Sequence, residues 1–285
     1  MSTTTNEPVL STRKRDRRPL RRAVAVPLLG AALVFGASTP ATAGPSNVSV
    51  IHGIPGVTVD VYVNGQLTLP AFTPTTVAGP LSLPAANYQV QIFGAVEKPP
   101  QAAADRVDSA VINESETVPS DQNVSLIANL DNTGTPIVTA FVNDITPTST
   151  GKARVTVRHT ANAPTVDIQV NGADAIPGLE YGKEATAELD PGTYDFAAQV
   201  SPDGPIAIEI PDVTLTAGTH LIVYAIGDAG AEVPADELGS LQAIGSLAVV
   251  TQLIDVGQAA VVVPTVPPAP TPPPAPPVVN PRFAG

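Results

Sequence analysis

The sequence predicts an all-β protein made of two tandem antiparallel β-sandwiches of immunoglobulin-like or prealbumin-like type. Three observations support this fold class. The phrase VIHGIPGVTVDVYVNG at Val50–Gly65 returns as VRHTANAPTVDIQVNG at Val157–Gly172. Within both copies apolar residues occupy alternate positions, as in a strand with one buried face. The rest of each copy reads as short strands separated by turns, with no long amphipathic helix, which is typical of a β-sandwich.

The doubled phrase indicates a duplicated domain. The copies match at Val48 and Val155, at His52 and His159, and at Asp60 and Asp167. A period of about 100 residues is too long for one unit of a solenoid and has the size of a small domain. The predicted domains are residues 44–147 and 148–263, which join near the Thr-, Pro- and Ser-rich segment 143–152. Few contacts are expected between domains joined in this way.

The strands are predicted from alternation and from turn residues. Core-facing positions are Val59, Val61 and Val63 in the first copy and Val166, Ile168 and Val170 in the second, with Asp60, Tyr62, Asp167 and Gln169 on the other face. Asn64-Gly65 and Asn171-Gly172 predict tight hairpin turns, because both turn positions need a positive φ. Further strands are predicted at 76–83, 87–94, 109–118, 122–130, 136–143, 153–159, 184–190, 193–200, 206–216, 219–227 and 246–254.

Two tyrosines have the spacing of a structural motif. Tyr88 and Tyr194 each follow a leucine by five residues with a turn between, in LPAANY and LDPGTY. This spacing resembles the tyrosine corner of sandwich domains, in which the phenol bonds back to upstream backbone. We therefore expect both tyrosines to be structural, with substrate binding as the alternative.

The two ends of the chain predict export and a spacer. Residues 1–43 combine seven basic residues, the apolar run Ala23–Gly36 and a small-residue site before Gly44, the layout of a signal peptide cleaved between Ala43 and Gly44. The apolar run of 14 residues is shorter than the roughly 20 that span a bilayer. Residues 264–285 contain 10 prolines, which predicts an extended, disordered tail serving as a wall spacer, a ligand for a proline-binding domain, or neither.

Composition excludes several classes of function. Without the first 43 residues, seven basic and 24 acidic residues remain, a net charge of −17. A chain this acidic repels phosphate backbones, so nucleic acid is not an expected partner. The absence of cysteine excludes disulfides and thiolate metal sites. The protein must therefore be stable by packing alone.

The repeated phrases also resemble a known family. VSVIHGIPGVTVDVYVNG and VTVRHTANAPTVDIQVNG, each followed by a tyrosine-corner segment, resemble a bacterial exported module, domain of unknown function 4397, in two tandem copies. The resemblance spans roughly Asn47 to Asp255, with a shorter His-to-Asp interval than the family pattern. It implies an extracellular or wall-associated β-sandwich with no established activity or ligand, and it supplies no catalytic residue.

The candidate binding residues are His52 and Asp60 in the first copy, and His159 and Asp167 in the second. A repeated His–Asp pair could form half of a metal site, or a base with its orienting carboxylate. A catalytic zinc site needs three protein ligands, and no HExxH, HxH or GxSxG motif is present. The favoured interpretation is structural: each histidine ends the first strand and bonds the following loop or the aspartate. No metal or other cofactor is expected.

The sequence thus predicts a secreted or cell-wall-associated, non-enzymatic structural or adhesive surface protein. The alternative is an extracellular binding module for a cell-wall glycan or peptide. The expected partners are a cell-wall polymer or another surface protein, and no membrane span is expected once the leader is removed.

Overall fold

The computed structural model describes residues 43–230 and 246–259. Most of the predicted leader and the whole Pro-rich tail lie outside these ranges, and both stay predictions. Within them the structure is nearly all strand, and its only helical segment is a single 3-10 turn at Ala103–Asp105. The all-β sandwich class is confirmed.

The first repeat contains eight strands in two four-stranded sheets. The strands are β1 (Ser46–His52), β2 (Val59–Val63), β3 (Gln66–Phe72), β4 (Val77–Leu83), β5 (Ala86–Gly94), β6 (Ile112–Val118), β7 (Asn123–Leu130) and β8 (Pro136–Asn143). One sheet has the order β4-β1-β7-β8 and the other β3-β2-β5-β6. Neighbouring strands are antiparallel except β1 and β7, which run parallel.

The second repeat has the same topology. Its strands are β9 (Ala153–His159), β10 (Val166–Val170), β11 (Ala173–Leu179), β12 (Glu184–Leu189), β13 (Gly192–Val200), β14 (Ile206–Leu215), β15 (Thr219–Ile226) and β16 (Ala248–Asp255). Its sheets are ordered β12-β9-β15-β16 and β11-β10-β13-β14, which is the order of the first repeat with eight added to each strand number. The parallel pair also recurs, between β9 and β15.

The strands that the sequence did not predict are β3 and β11, whereas β1 was expected only as the strand that ends at His52. Alternation is weak in β3 and β11, and each contains a proline, Pro70 or Pro177. Proline lacks the amide donor that a central strand needs, so it is tolerated at the edge of a sheet. Both strands lie at sheet edges, as do the strands that contain Pro80 and Pro211.

Each repeat has its own apolar core between its two sheets. Val59 and Val61 are buried in the first core, and Val166 and Ile168 in the second. Val63 and Val170 lie on the same faces but are half-buried. The core-facing residues therefore lie where alternation predicted them.

The expectation of few contacts between the repeats is wrong. The sheet containing β1, β7 and β8 packs its outer face against the sheet containing β9, β15 and β16, so the middle sheets are buried on both faces. An apolar cluster joins them, formed by Ile51 and Ile127 from the first repeat and Ile222, Tyr224, Ile226, Ala248 and Val250 from the second. All seven residues of β9 are buried. The sequence of β9 alternates in polarity, with Val155 and Val157 facing the second core and Arg158 on the other face. Alternation of this kind predicts a solvated polar face, so the second contact surface was not visible in the sequence pattern.

Candidate functional site

Asp60 lies on β2, on the face of the sheet that points away from the first core. Alternation in the sequence predicts Asp60 and Tyr62 on this outer face, and the structure buries both completely. The cover is the connection between β5 and β6, residues 95–111, which packs Ala103 against Tyr62 and Phe93 in a small apolar cluster. A second hydrophobic layer therefore exists outside the sandwich proper.

A buried ion pair anchors this connection. Arg106 Nη1 donates to Asp60 Oδ2 at 2.8 Å, and neither side chain is more than 2% exposed. The carboxylate also accepts the backbone N–H of Ala71 at 2.9 Å and that of Val96 at 3.2 Å. Both oxygens of Asp60 are thus paired, and they link β2 to β3 and to the connection between β5 and β6.

Arg106 is the central residue of this cluster. Its guanidinium lies over the ring of Phe93, with 4.7 Å from Cζ to the ring centroid, and donates to Asp108 and to the Gly94 carbonyl. The carboxylates of Asp108 and Asp60 raise the pKa of the Arg106 guanidinium above its ordinary value. In the sequence, Arg106 is one of only seven basic residues after the leader. That scarcity was the one signal that could have identified it.

The equivalent Asp167 in the second repeat has no such partner. It is half-buried, and its Oδ1 accepts the Gly178 N–H at 2.7 Å. The reason is the length of one connection: residues 201–205 join β13 to β14, whereas residues 95–111 join β5 to β6. The second repeat therefore lacks the segment that covers the outer sheet of the first.

His52 and His159 end the first strand of their repeats and bond the loop that follows. The Nε2 atoms lie 2.7 Å from the Val57 carbonyl and 2.9 Å from the Pro164 carbonyl, respectively. A carbonyl only accepts, so each Nε2 carries the hydrogen and each Nδ1 is an acceptor. His52 Nδ1 accepts the Ile54 N–H at 3.3 Å, whereas His159 Nδ1 is buried without a hydrogen-bond partner.

Burial favours the neutral form of these histidines. Both rings are 1% exposed, and burial lowers the pKa of each below the usual histidine value, opposed by the hydrogen bond to the loop carbonyl. Neither histidine hydrogen-bonds the aspartate of its repeat: Asp60 is held by Arg106, and Asp167 by Gly178. The histidine and the aspartate of each repeat therefore bond different partners and do not form a pair. Their structural role stays a prediction.

The other singled-out residues form local backbone contacts. The hydroxyls of Tyr88 and Tyr194 each donate to a carbonyl four residues earlier, at Pro84 and Asp190, both at 2.9 Å. This is the geometry of a tyrosine corner. The turn pairs Asn64-Gly65 and Asn171-Gly172 all have positive φ. At the expected cleavage site Ala43 is exposed, and the Gly44 N–H donates to Asp121 Oδ1 at 2.9 Å.

The described residues contain no group of three or more His, Asp or Glu side chains placed to hold a metal ion. Over the same part of the chain, no helix is long and apolar enough to cross a membrane. Buried charged side chains instead form two clusters, of which the sequence singled out only one member, Asp60. These are the Arg106 cluster and the contact between the repeats around Arg158.

One family model matches part of the chain. Residues 46–169 match the model of DUF4397, a domain of unknown function, which confirms the resemblance drawn from the repeated phrases. The match covers the first repeat and extends to β10. No curated protein sequence matches the chain.

Two solved structures overlap the chain weakly. The fimbrial anchor protein Mfa2 from Porphyromonas gingivalis aligns over 74% of this chain and 98% of its own, with 10% identity and a TM-score of 0.22. A candidate cell adhesion protein from Bacteroides eggerthii aligns over 75% of this chain and 96% of its own, with 11% identity and a TM-score of 0.21. Similarity at this level carries no argument about function.

Proposed function

We propose that the chain is an exported, non-enzymatic structural or adhesive protein of the cell surface, in which the described parts of the two repeats form one stiff unit. The observation that carries this proposal is the buried contact between the two sandwiches. A stiff tandem suits a protein that holds a binding end away from the wall, because its reach does not depend on a flexible joint.

The contact surface combines apolar packing with a buried polar network. Gln252 of the second repeat accepts from Ser125 at 2.8 Å and donates to Ser49 at 3.1 Å, both in the first repeat. The Tyr224 hydroxyl donates to the same Gln252 oxygen at 2.9 Å. Buried networks with every member paired fix one arrangement of the packed surfaces, because any sliding leaves polar groups unpaired.

Arg158 forms the second part of this network. It lies on β9, and its side chain is 1% exposed. Its guanidinium donates to Asn143 Oδ1 of the first repeat at 2.8 Å and to Glu184 at 2.7 Å, and it lies over the Phe141 ring at 4.3 Å. A single arginine thus contacts both repeats through hydrogen bonds and a cation–π contact.

The glycan-binding alternative lacks support in the site geometry. Sugar-binding surfaces commonly present exposed aromatic rings. Every tyrosine and phenylalanine within 43–230 and 246–259 is buried or half-buried. A pull-down of the purified chain on isolated cell wall tests the alternative, because a glycan module would be depleted from solution and then released by soluble wall glycan, whereas a wall-associated structural chain would not be released in this way.

Stiffness can be measured directly because the chain has no cysteine. Spin labels at Ser115→Cys on β6 and Glu209→Cys on β14, both exposed, report the distance between the outer sheets. We expect one narrow distance distribution. Adding Ile127→Lys, which places a charge in the apolar cluster between the repeats, should broaden it. A broad distribution in the chain without Ile127→Lys would contradict the stiff-unit proposal.

Export and adhesion are tested in cells. Surface material should begin at Gly44 on N-terminal sequencing, and protease treatment of intact cells should remove the protein. A deletion strain should adhere less, and the unaltered chain should restore adhesion while the Ile127→Lys variant should not. Full restoration by a variant with a broad distance distribution would show that stiffness is irrelevant to adhesion. An uncleaved Met1 start on surface protein would exclude cleavage at Ala43.

A further inference from the structure

The two sandwiches differ in how completely their cores are filled. The second contains a cavity of about 300 Å³ between its sheets, whereas the corresponding space in the first is about 40 Å³. Native cores hold few voids larger than a water molecule. A volume of about 300 Å³ instead falls at the lower end of the range for small-molecule sites.

The cavity follows from smaller side chains at corresponding core positions. From the first repeat to the second, Ile92 is replaced by Ala198, Ile54 by Ala161, Leu126 by Val223 and Phe72 by Leu179. The strand pairing supports the match of Ile92 with Ala198. Ile92 lies opposite Ile112 on β6, and Ala198 lies opposite Ile208 on β14. Two residues are larger in the second repeat, Phe196 in place of Val90 and Ile168 in place of Val61, and they do not fill the space.

The lining selects an apolar ligand. Apart from His159, every lining residue within 43–230 and 246–259 is alanine, valine, leucine, isoleucine, phenylalanine or proline. Water needs several polar partners to occupy a cavity, and an apolar engineered cavity of about 150 Å³ stays dry and binds benzene. A space about twice as large with the same kind of lining therefore favours a hydrocarbon body over water, a sugar or an ion.

His159 adds one polar requirement. Among the residues that the structure describes, it is the only polar side chain of the lining, and its Nδ1 is a buried acceptor without a partner there. The equivalent atom in the filled sandwich, His52 Nδ1, is occupied by the Ile54 N–H. The unpaired acceptor and the cavity thus occur together in one repeat and are both missing from the other. A hydroxyl group satisfies such an acceptor, whereas a carboxylate has no hydrogen to donate.

We propose that the second sandwich binds a small uncharged amphiphile, an aliphatic alcohol of roughly ten carbon atoms if each takes about the 30 Å³ that a water molecule takes in the liquid. The wall of the cavity covers Nδ1 of His159, and the ligand's hydroxyl donates to this atom after a small shift of that wall. This site is separate from the surface role proposed above, since it lies inside one sandwich and does not involve the contact between the repeats.

A ligand series on the purified full chain tests the chemistry. Calorimetric titration at pH 7.5 with 1-decanol should show one saturable site. The ether 1-methoxydecane lacks the donor and should bind about five-fold more weakly, the value of one net hydrogen bond. Decanoate should bind more weakly still, because its charge would have to be buried without a partner. An absence of saturable decanol binding would overturn the site, and equal binding of the alcohol and the ether would overturn the role of His159.

Filling the cavity tests its location. Ala198→Ile restores the residue found at this position in the first repeat and should weaken decanol binding at least about ten-fold. The matched control is Ala187→Ile, the same change at an exposed position on β12, which should bind as the original chain does. Decanol binding to folded Ala198→Ile with unchanged affinity would overturn the proposal. If Ala198→Ile does not fold, Val223→Leu supplies a smaller filling change, and it should weaken binding several-fold.

Discussion

The two repeats share one topology but differ in two places. In the first, a seventeen-residue connection covers the outer sheet and buries the Asp60–Arg106 pair over a filled core. In the second, the corresponding connection has five residues, Asp167 is half-buried, and the core contains a cavity. Strand order is therefore set by features that both copies retain, namely alternation, Asn-Gly turns and tyrosine corners. Loop length and core volume changed without altering it.

The largest loss of stability is expected when the two repeats are separated into fragments. Fragments 44–147 and 148–263 should each fold, because each has its own core, but both should melt well below the full chain. Separation exposes the apolar cluster around Ile222 and unpairs the network around Gln252 at the same time. Circular dichroism during heating, on each fragment and on their mixture, measures this. A fragment that is unstructured alone and folds only in the mixture would show that the two sandwiches are not separate domains.

The next largest loss of stability is expected at Asp60, and the equivalent change at Asp167 should cost much less. Asp60→Asn breaks a fully buried ion pair and should cost about 3 kcal/mol or more of unfolding free energy. Asp167→Asn keeps an oxygen that can accept the Gly178 N–H and should cost less than about 1 kcal/mol. Urea denaturation of both variants provides the comparison. Equal costs would mean that the Arg106 connection contributes nothing beyond a local hydrogen bond.

Substitutions at one equivalent core position can reverse the difference in core filling and should change the unfolding free energy in opposite directions. Ile92→Ala opens a cavity in the first sandwich and should cost about 2–5 kcal/mol. Ala198→Ile fills space in the second and should add about 0.5–2 kcal/mol. The same urea measurements test both, with Ala187→Ile as the exposed control. Destabilisation by Ala198→Ile would indicate that the cavity walls are too rigid to admit the added carbons.

The sequence was sufficient for the fold but insufficient for the contacts between distant residues. Alternation around Val61 and Ile168 and the turns at Gly65 and Gly172 are local signals, so the strands and the duplication could be predicted. The burial of Asp60 depends on an arginine 46 residues away that the other repeat lacks. Pairing at that separation leaves no local pattern, and the stacking of two middle sheets leaves none either. The cavity results from smaller side chains at several separated positions, and none of these replacements is unusual alone.

Removing the two histidines should have smaller and unequal costs in stability. His52 makes two hydrogen bonds, so His52→Ala should cost about 1–2 kcal/mol, whereas His159→Ala loses one bond and removes an unpaired acceptor, and should cost less. Thermal melts with and without EDTA measure this. EDTA should not change either melting temperature. A decrease with EDTA that zinc or calcium reverses would instead establish a metal site.

The smallest effect is a difference in acid sensitivity between these variants and the original chain. Burial lowers the pKa of His52, His159 and His220, so the folded chain keeps these rings neutral. The unfolded chain protonates them near the ordinary value of about 6.5. The unfolded state then binds more protons, and stability should be complete above about pH 6.5 and should decrease as the pH falls below it.

Glu116 acts in the opposite direction, because burial raises its pKa and its protonation accompanies folding. The histidine contribution is therefore isolated by comparing variants and not by the pH profile of one chain. Between pH 7.5 and pH 5, His52→Ala and His159→Ala should each lose less unfolding free energy than the original chain, because each has one buried imidazole fewer. Urea titrations at the two pH values measure this. An identical loss in all three proteins would mean that these rings are protonated equally in the folded and unfolded states, and the buried neutral imidazoles would then not account for the acid sensitivity of either repeat.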